Sequence, residues 1–159
     1  MELVLELFLF TPDGRQRVRY HCLQQEITGR QCDPDDILAE ILCALDLNQC
    51  RVRMAHSTSW RYETGRTVLT YLAWVPERGL QGLPTCRITV CAHRPAASAG
   101  PLRPRPCHIR REDVLIHGLR HLRHLLAERR DPVLLAALAD VDAAGLLGDL
   151  SPAVAGRIG

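Results

Sequence analysis

The sequence predicts a single α/β (α+β) domain in which a mixed, largely antiparallel sheet is packed by helices. Three observations predict this class. Two stretches of alternating residues flank short turn motifs, helices begin at capped Asp-Pro pairs, and 159 residues is the usual size of one domain. We assign residues 1–150 to this domain and expect residues 151–159 to form a flexible tail.

The first alternating stretch predicts an antiparallel hairpin. Residues 2–10 are rich in Leu, Val and Phe and lead into Pro12-Asp13-Gly14. Proline presets one backbone dihedral and glycine accepts a positive one, so this tripeptide indicates a turn. Residues 16–25 then alternate, which predicts the returning strand.

A second hairpin is predicted over residues 51–75. Its first half alternates, Thr64-Gly65 has the composition of a two-residue loop, and its second half is apolar on both faces, as in a central strand. Such a loop sets two cross-strand pairs, Trp60 with Leu69 and Thr58 with Tyr71.

Caps and a leucine stripe predict the helices. Asp33-Pro34 begins a helix that runs to about Leu47. Leucines at helical spacing predict a longer helix over residues 111–129. Asp131-Pro132 begins a second C-terminal helix, which we expect to weaken by Gly145.

A short strand and a loop separate the two groups of helices. Residues 86–91 predict the strand, and residues 94–107 predict a surface loop because they are rich in Pro, Ala, Ser, Gly and Arg. The basic end of the loop, residues 103–111, suits a phosphate or an acidic partner, but without interleaved aromatics it is a weak nucleic-acid signal. We expect it to be solvated.

Composition excludes several classes of function. All 20 basic residues are arginine, and a net charge of +2 is too small to indicate nucleic-acid binding. No apolar run is long enough to span a bilayer, and acids interrupt the apolar N-terminal stretch, so neither a membrane partner nor a signal peptide is expected. The seven cysteines include no C-x-x-C pair, which is typical of reduced thiols and predicts a cytoplasmic protein.

The most visible candidate site is a histidine stripe, His117, His121 and His124, on the helix over residues 111–129. Two histidines at i and i+4 can share one metal ion, so these residues are candidate metal ligands. The leucine stripe lies nearly opposite, so we expect the histidines to face away from the core. Solvation, a contact between two chains and a metal site all stay open as their role.

A second candidate metal site is acidic. Several carboxylates on one helix can gather a divalent cation. The acids of the first helix and its flanks are Asp33, Asp35, Asp36, Glu40 and Asp46. The first three are better explained as capping and helix-dipole partners, which leaves Glu40 as the candidate ligand. We expect no cofactor.

A candidate ligand-binding surface lies on the strand before the Thr64-Gly65 turn. By alternation, Ser57, Ser59 and Arg61 share one face, with Arg61 as the anchor for an anion. Trp60 and Glu63 complete the candidate site. His56 is expected on the opposite face with Trp60, as a core histidine.

The order of elements resembles the central part of a Nudix domain over residues 2–93. The resemblance is carried by a helix ending in Leu-Asp-Leu, a polar strand containing Ser-Trp-Arg and a following apolar strand; these are residues 45–47, 59–61 and 68–72. It implies a Nudix-like sandwich of sheet and helices. The helix from Arg111 extends the resemblance.

The chain departs from the Nudix signature, G-x5-E-x7-R-E-U-x-E-E-x-G-U, in which U is apolar. Among its charged positions only Glu40 survives. Six other positions are replaced, by Gln25, Gln31, Ala39, Cys43, Ala44 and Asp46. One carboxylate cannot hold the magnesium that hydrolyses a diphosphate, so a Nudix-type enzyme activity is not expected.

These patterns lead to one functional expectation and two alternatives. We expect a non-catalytic, Nudix-like binding or regulatory domain of bacterial type for a nucleotide or another phosphorylated, anionic small molecule. The alternatives are a metal-dependent hydrolase with a non-standard site and a homodimeric interaction protein that uses the histidine face.

Overall fold

The fold is a mixed sheet packed by helices, as predicted, and the helices lie on both sides of the sheet. The computed structural model describes residues 2–29, 33–47, 51–93, 108–151 and 156–157. The strands are β1 (Glu2–Pro12), β2 (Arg17–Ile27), β3 (Met54–Glu63), β4 (Arg66–Trp74), β5 (Cys86–Thr89) and β6 (Gly156–Arg157). The helices are α1 (Pro34–Ala44), α2 (Arg111–Ala127), α3 (Pro132–Ala137) and α4 (Ala143–Leu147).

The sheet is built around β1. Its strand order is β5-β2-β1-β4-β3-β6. β1 pairs antiparallel with β2 and parallel with β4, and the pairs β2–β5 and β3–β4 are antiparallel. β6 adds two residues parallel to β3. The central strands β1 and β4 are apolar on both faces because helices cover both sides of the sheet.

Alternate residues of β1 enter two different cores. Phe8 and Phe10 pack with the leucines of α2 on one side, together with side chains from α3 and α4. Leu7 and Leu9 pack on the other side with Leu38 of α1. One continuous strand therefore supports three layers, with α1 on one side of the sheet and α2, α3 and α4 on the other.

The hairpin prediction is confirmed for both turns but not for the whole register. Thr64 and Gly65 both have positive φ, at 49° and 84°, as a two-residue loop requires. Trp60 lies opposite Leu69 as predicted, but Ser57, not Thr58, lies opposite Tyr71. Thr58 is the extra residue of a β-bulge, and strict alternation cannot anticipate such an insertion.

The helix starts are confirmed, and one predicted helix is divided. Asp33 and Asp131 accept hydrogen bonds from the first-turn amides of α1 and α3. The single helix expected after Asp131 is wrong, because α3 ends at Ala137 and α4 begins after Asp142. The Asp142 carboxylate caps the Gly145 amide and thereby favours a new helix start.

Two expectations fall largely outside the described residues. These are the surface loop over residues 94–107 and most of the tail, although Gly156 and Arg157 do pair with β3. Within the part of the chain that the structure describes, no helix combines the length and the apolar character needed to cross a membrane.

Candidate functional site

The β-bulge at Thr58 decides which side chains of β3 share a face. The register shifts between Ser57 and Ser59, so Ser57 is on the α1 side of the sheet, whereas Ser59 and Arg61 are on the α2 side. The prediction that these three residues share one face is therefore wrong. Alternation along a strand holds only while the ladder is continuous.

The same bulge separates two residues that alternation placed together. Trp60 pairs with Leu69, which packs in the core on the α1 side. Trp60 itself is 43% exposed. His56 lies on the α2 side, where its ring stacks on His121. The prediction that His56 and Trp60 share a face is therefore also wrong.

Arg61 is the centre of an ion-pair cluster in which Arg61, Glu6 and Thr70 are buried. The members of this cluster are Glu6, Gln24, Arg61, Glu63 and Thr70. The two terminal nitrogens of Arg61 lie 2.7 and 2.9 Å from the two carboxylate oxygens of Glu6. Thr70 accepts from Arg61 and donates to Glu6, and Gln24 donates to the same carboxylate at 2.8 Å. Three side chains, Arg61, Thr70 and Gln24, therefore donate hydrogen bonds to the Glu6 carboxylate and hold it in place.

The charges of the cluster stabilise one another. Burial alone would lower the pKa of Arg61, but the hydrogen bonds and charge of Glu6, together with Glu63, raise it above its ordinary value. Burial, reinforced by the charge of Glu6, raises the pKa of the nearby Cys22 thiol to about 12. Cys22 is therefore protonated at neutral pH, and a protonated thiol is a poor nucleophile.

The cluster changes the expected role of Arg61. Its guanidinium already faces two carboxylates, those of Glu6 and Glu63. Two negative charges around one cation leave no excess positive charge for an anionic ligand. Sequence reasoning missed Glu6, although an acid in the middle of an apolar central strand is a recognisable sign of a buried ion pair.

The histidine stripe faces the sheet more than the sequence predicted. His121 is only 4% exposed, and its ring centroid lies 5.6 Å from that of His56 and 6.3 Å from that of His124. The expectation that the histidines turn away from the core is wrong for His121. His121 is buried because α2 approaches the sheet closely at Gly118, where an added Cβ would overlap Leu72.

The candidate metal ligands do not come together. Glu40 is exposed on α1, whereas His117, His121 and His124 lie on α2 across the sheet. Among the residues that the structure describes, no group of three or more His, Cys, Asp or Glu side chains has the arrangement of a metal site.

A groove between α1 and the start of β3 is a concave site that the sequence did not predict. Its volume is about 510 Å³. It is lined by Asp35, Leu38, Ala39, Leu42, Cys43, Leu47, Val52, Met54 and Ala55. Small side chains on one face of a helix, Ala39 and Cys43, are the signal that could have indicated this space.

Asp35 is the polar residue of the groove lining. One of its oxygens accepts a hydrogen bond from the Tyr71 hydroxyl at 2.7 Å. Burial, together with that hydrogen bond and the charge of Asp35, raises the pKa of Tyr71 well above its usual value. Tyr71 therefore stays protonated and orients the Asp35 carboxylate.

The groove contains one of the expected ligand-binding elements and not the others. Its wall includes the first residues of the 51–75 hairpin, but none of Ser57, Ser59, Trp60, Arg61 and Glu63 lines it.

No protein-family model, no curated protein and no solved structure matches this chain.

Proposed function

We propose that this protein is a non-catalytic binding domain whose α1–β3 groove takes a small molecule with a flat, largely apolar body. The observation that carries the proposal is the groove itself. A volume of about 510 Å³ with a mainly apolar lining is typical of small-molecule sites.

The lining indicates the chemistry of the ligand. None of the described residues that line the groove is basic, and Asp35 supplies a carboxylate. A ring system with an N–H donor or a cationic group fits this lining better than a phosphate does. A nucleotide therefore fits the groove through its base and not through its phosphates.

We propose a domain without catalytic activity because of two residues of α1. Cys43 and Ala44 occupy the positions of the last two glutamates of the Nudix signature, and Cys43 lines the groove. If the domain is Nudix-like, a helix that binds magnesium in the enzymes here forms the wall of an apolar groove. Recognition, without bond cleavage, is what such a wall supports.

The test is a fluorescence titration with N-phenyl-1-naphthylamine, an uncharged probe that has a flat apolar body and one N–H donor. Ala39→Trp fills the groove from the α1 side, so we expect it to weaken probe binding at least tenfold. Ala44→Trp, on the same helix but outside the groove lining, is the matched control and should keep the affinity of the wild type.

Two results would contradict the proposal. Equal probe binding by Ala39→Trp and the wild type would show that the groove is not the binding site. Displacement of the probe by inorganic phosphate at millimolar concentration would instead indicate an anion site, as the sequence alone predicted. Circular dichroism spectra of both variants check that they are folded.

A further inference from the structure

A second groove lies between α2, α3 and α4, on the side of the sheet opposite α1. Its volume is about 250 Å³. The described residues that line it are leucines and alanines, with Arg123 as the one exception. Leu138 and Leu147 are buried and form an apolar floor, whereas Leu135 is exposed at the rim. The groove is therefore open to solvent above a floor that belongs to the core.

The space between the three helices comes from small side chains. Arg123 and Ala127 are four residues apart, so they lie on the same face of α2 and both line the groove. Ala139, after the end of α3, and Ala144 of α4 face them. Because an alanine fills little volume, three alanines at this junction leave room that longer side chains would occupy.

The charge of Arg123 is not balanced by the acids that flank α3 and α4. The Asp131 and Asp142 side chains accept hydrogen bonds from the first amides of these helices, and Asp140 pairs with Arg53 at 2.6 Å. The Nε atom of Arg123 is buried and has no hydrogen-bond partner among the described residues. A buried N–H group without an acceptor is unfavourable, so an acceptor that reaches it from the groove would be stabilising.

We propose that this groove binds a small carboxylic acid with an apolar chain, of the medium-chain fatty acid class. A guanidinium donates two parallel hydrogen bonds to a carboxylate, which satisfies the charge of Arg123, and the chain packs on Leu138 and Leu147. A phosphate group carries more charge than one arginine balances, and Arg123 is the only cation among the described lining residues. The small volume also indicates a ligand below drug size.

This ligand differs from the one proposed for the α1–β3 groove. That groove has the acid Asp35 in its lining and lies on the other side of the sheet, whereas the α2–α3–α4 groove has the cation Arg123. The two sites therefore select ligands of opposite charge, and each can be tested without the other.

A nuclear magnetic resonance titration of nitrogen-15-labelled protein with octanoate tests the site. The Nε–H signal of Arg123, assigned by its loss in Arg123→Gln, should shift as octanoate is added, because this group would then donate to the carboxylate. Octanol has the same chain without the charge, and acetate has the carboxylate without the chain. Each should bind about tenfold or more weakly than octanoate, because each lacks one of the two interactions.

Isothermal titration calorimetry with octanoate compares two pairs of variants. Arg123→Gln should weaken binding about tenfold, whereas Arg129→Gln, which removes the same charge at an exposed position outside the lining, should keep the wild-type affinity. Ala139→Trp fills the groove and should also weaken binding, whereas Ala136→Trp, exposed on α3 but outside the lining, should not. Circular dichroism spectra check that all four variants are folded.

Four results would each overturn the proposal. They are an unshifted Arg123 signal at millimolar octanoate, equal affinities for octanoate and octanol, wild-type affinity in Arg123→Gln, and wild-type affinity in Ala139→Trp. An unshifted signal together with a dimer in light scattering would instead assign the groove to a second copy of this chain.

Discussion

Glu6 and Arg61 show how one buried residue pair fixes the local structure. Both side chains are at least nine-tenths buried, and each terminal nitrogen of the arginine contacts one oxygen of the carboxylate. Neither side chain would be stable in this place alone, because an uncompensated buried charge is costly. The pair therefore also fixes the position of β3 after the bulge relative to β1.

Glu6→Gln should lower the free energy of unfolding by about 3 kcal/mol, because it leaves Arg61 without its bidentate partner. Urea unfolding at pH 7 measures this free-energy difference. Glu26→Gln, an exposed acid on β2, is the control and should leave the unfolding midpoint unchanged. Adding Arg61→Gln to Glu6→Gln should cost less than the sum of the single variants; strictly additive losses would contradict the coupling.

Gly118 explains why α2 lies so close to the sheet. We expect Gly118→Ala to destabilise the protein by about 1–3 kcal/mol, although alanine favours helices, because its Cβ would overlap the buried Leu72 side chain. Thermal unfolding measures the loss. The double variant Gly118→Ala/Leu72→Ala should lose less stability than the sum of the two single variants, because Leu72→Ala removes the overlap with the new Cβ. A gain in stability from Gly118→Ala alone would refute this explanation.

At the scale of elements, local chemistry specifies turns and helix starts well. Both hairpins, the Asp33 cap and the Asp131 cap are recognisable from a few adjacent residues, because proline, glycine and aspartate each impose a local conformation. The bulge at Thr58 and the groove beside α1 are not recognisable in this way. They depend on how distant elements pack, which alternation along one strand does not report.

The Thr64-Gly65 loop offers a test at this scale. Thr64 has a φ of 49°, which a β-branched residue adopts at a cost, whereas asparagine tolerates it. Thr64→Asn should therefore stabilise the protein by about 1 kcal/mol, measured from the urea midpoint. Thr85→Asn, in a loop where φ is not positive, should have no such effect. A lower midpoint for Thr64→Asn would disagree with the observed turn.

At the scale of the whole molecule, the two cores share the strands β1 and β4. Neither core can therefore lose its packing without exposing one face of the same strands. We expect a single cooperative unfolding transition at pH 7.5, with coincident urea curves from tryptophan fluorescence and far-ultraviolet circular dichroism. Separate midpoints for the two signals would show that the layers unfold independently.

The groove beside α1 is the ligand-binding site that we propose for this molecule. Alkylation of the cysteines by iodoacetamide tests it most directly, because Cys43 lines the groove whereas Cys86, also exposed, lies on β5. Mass spectrometry gives the rate at each thiol with and without saturating N-phenyl-1-naphthylamine. We expect the probe to slow alkylation of Cys43 several-fold and to leave the rate at Cys86 unchanged. Equal rates at Cys43 with and without the probe would show that the groove does not bind it.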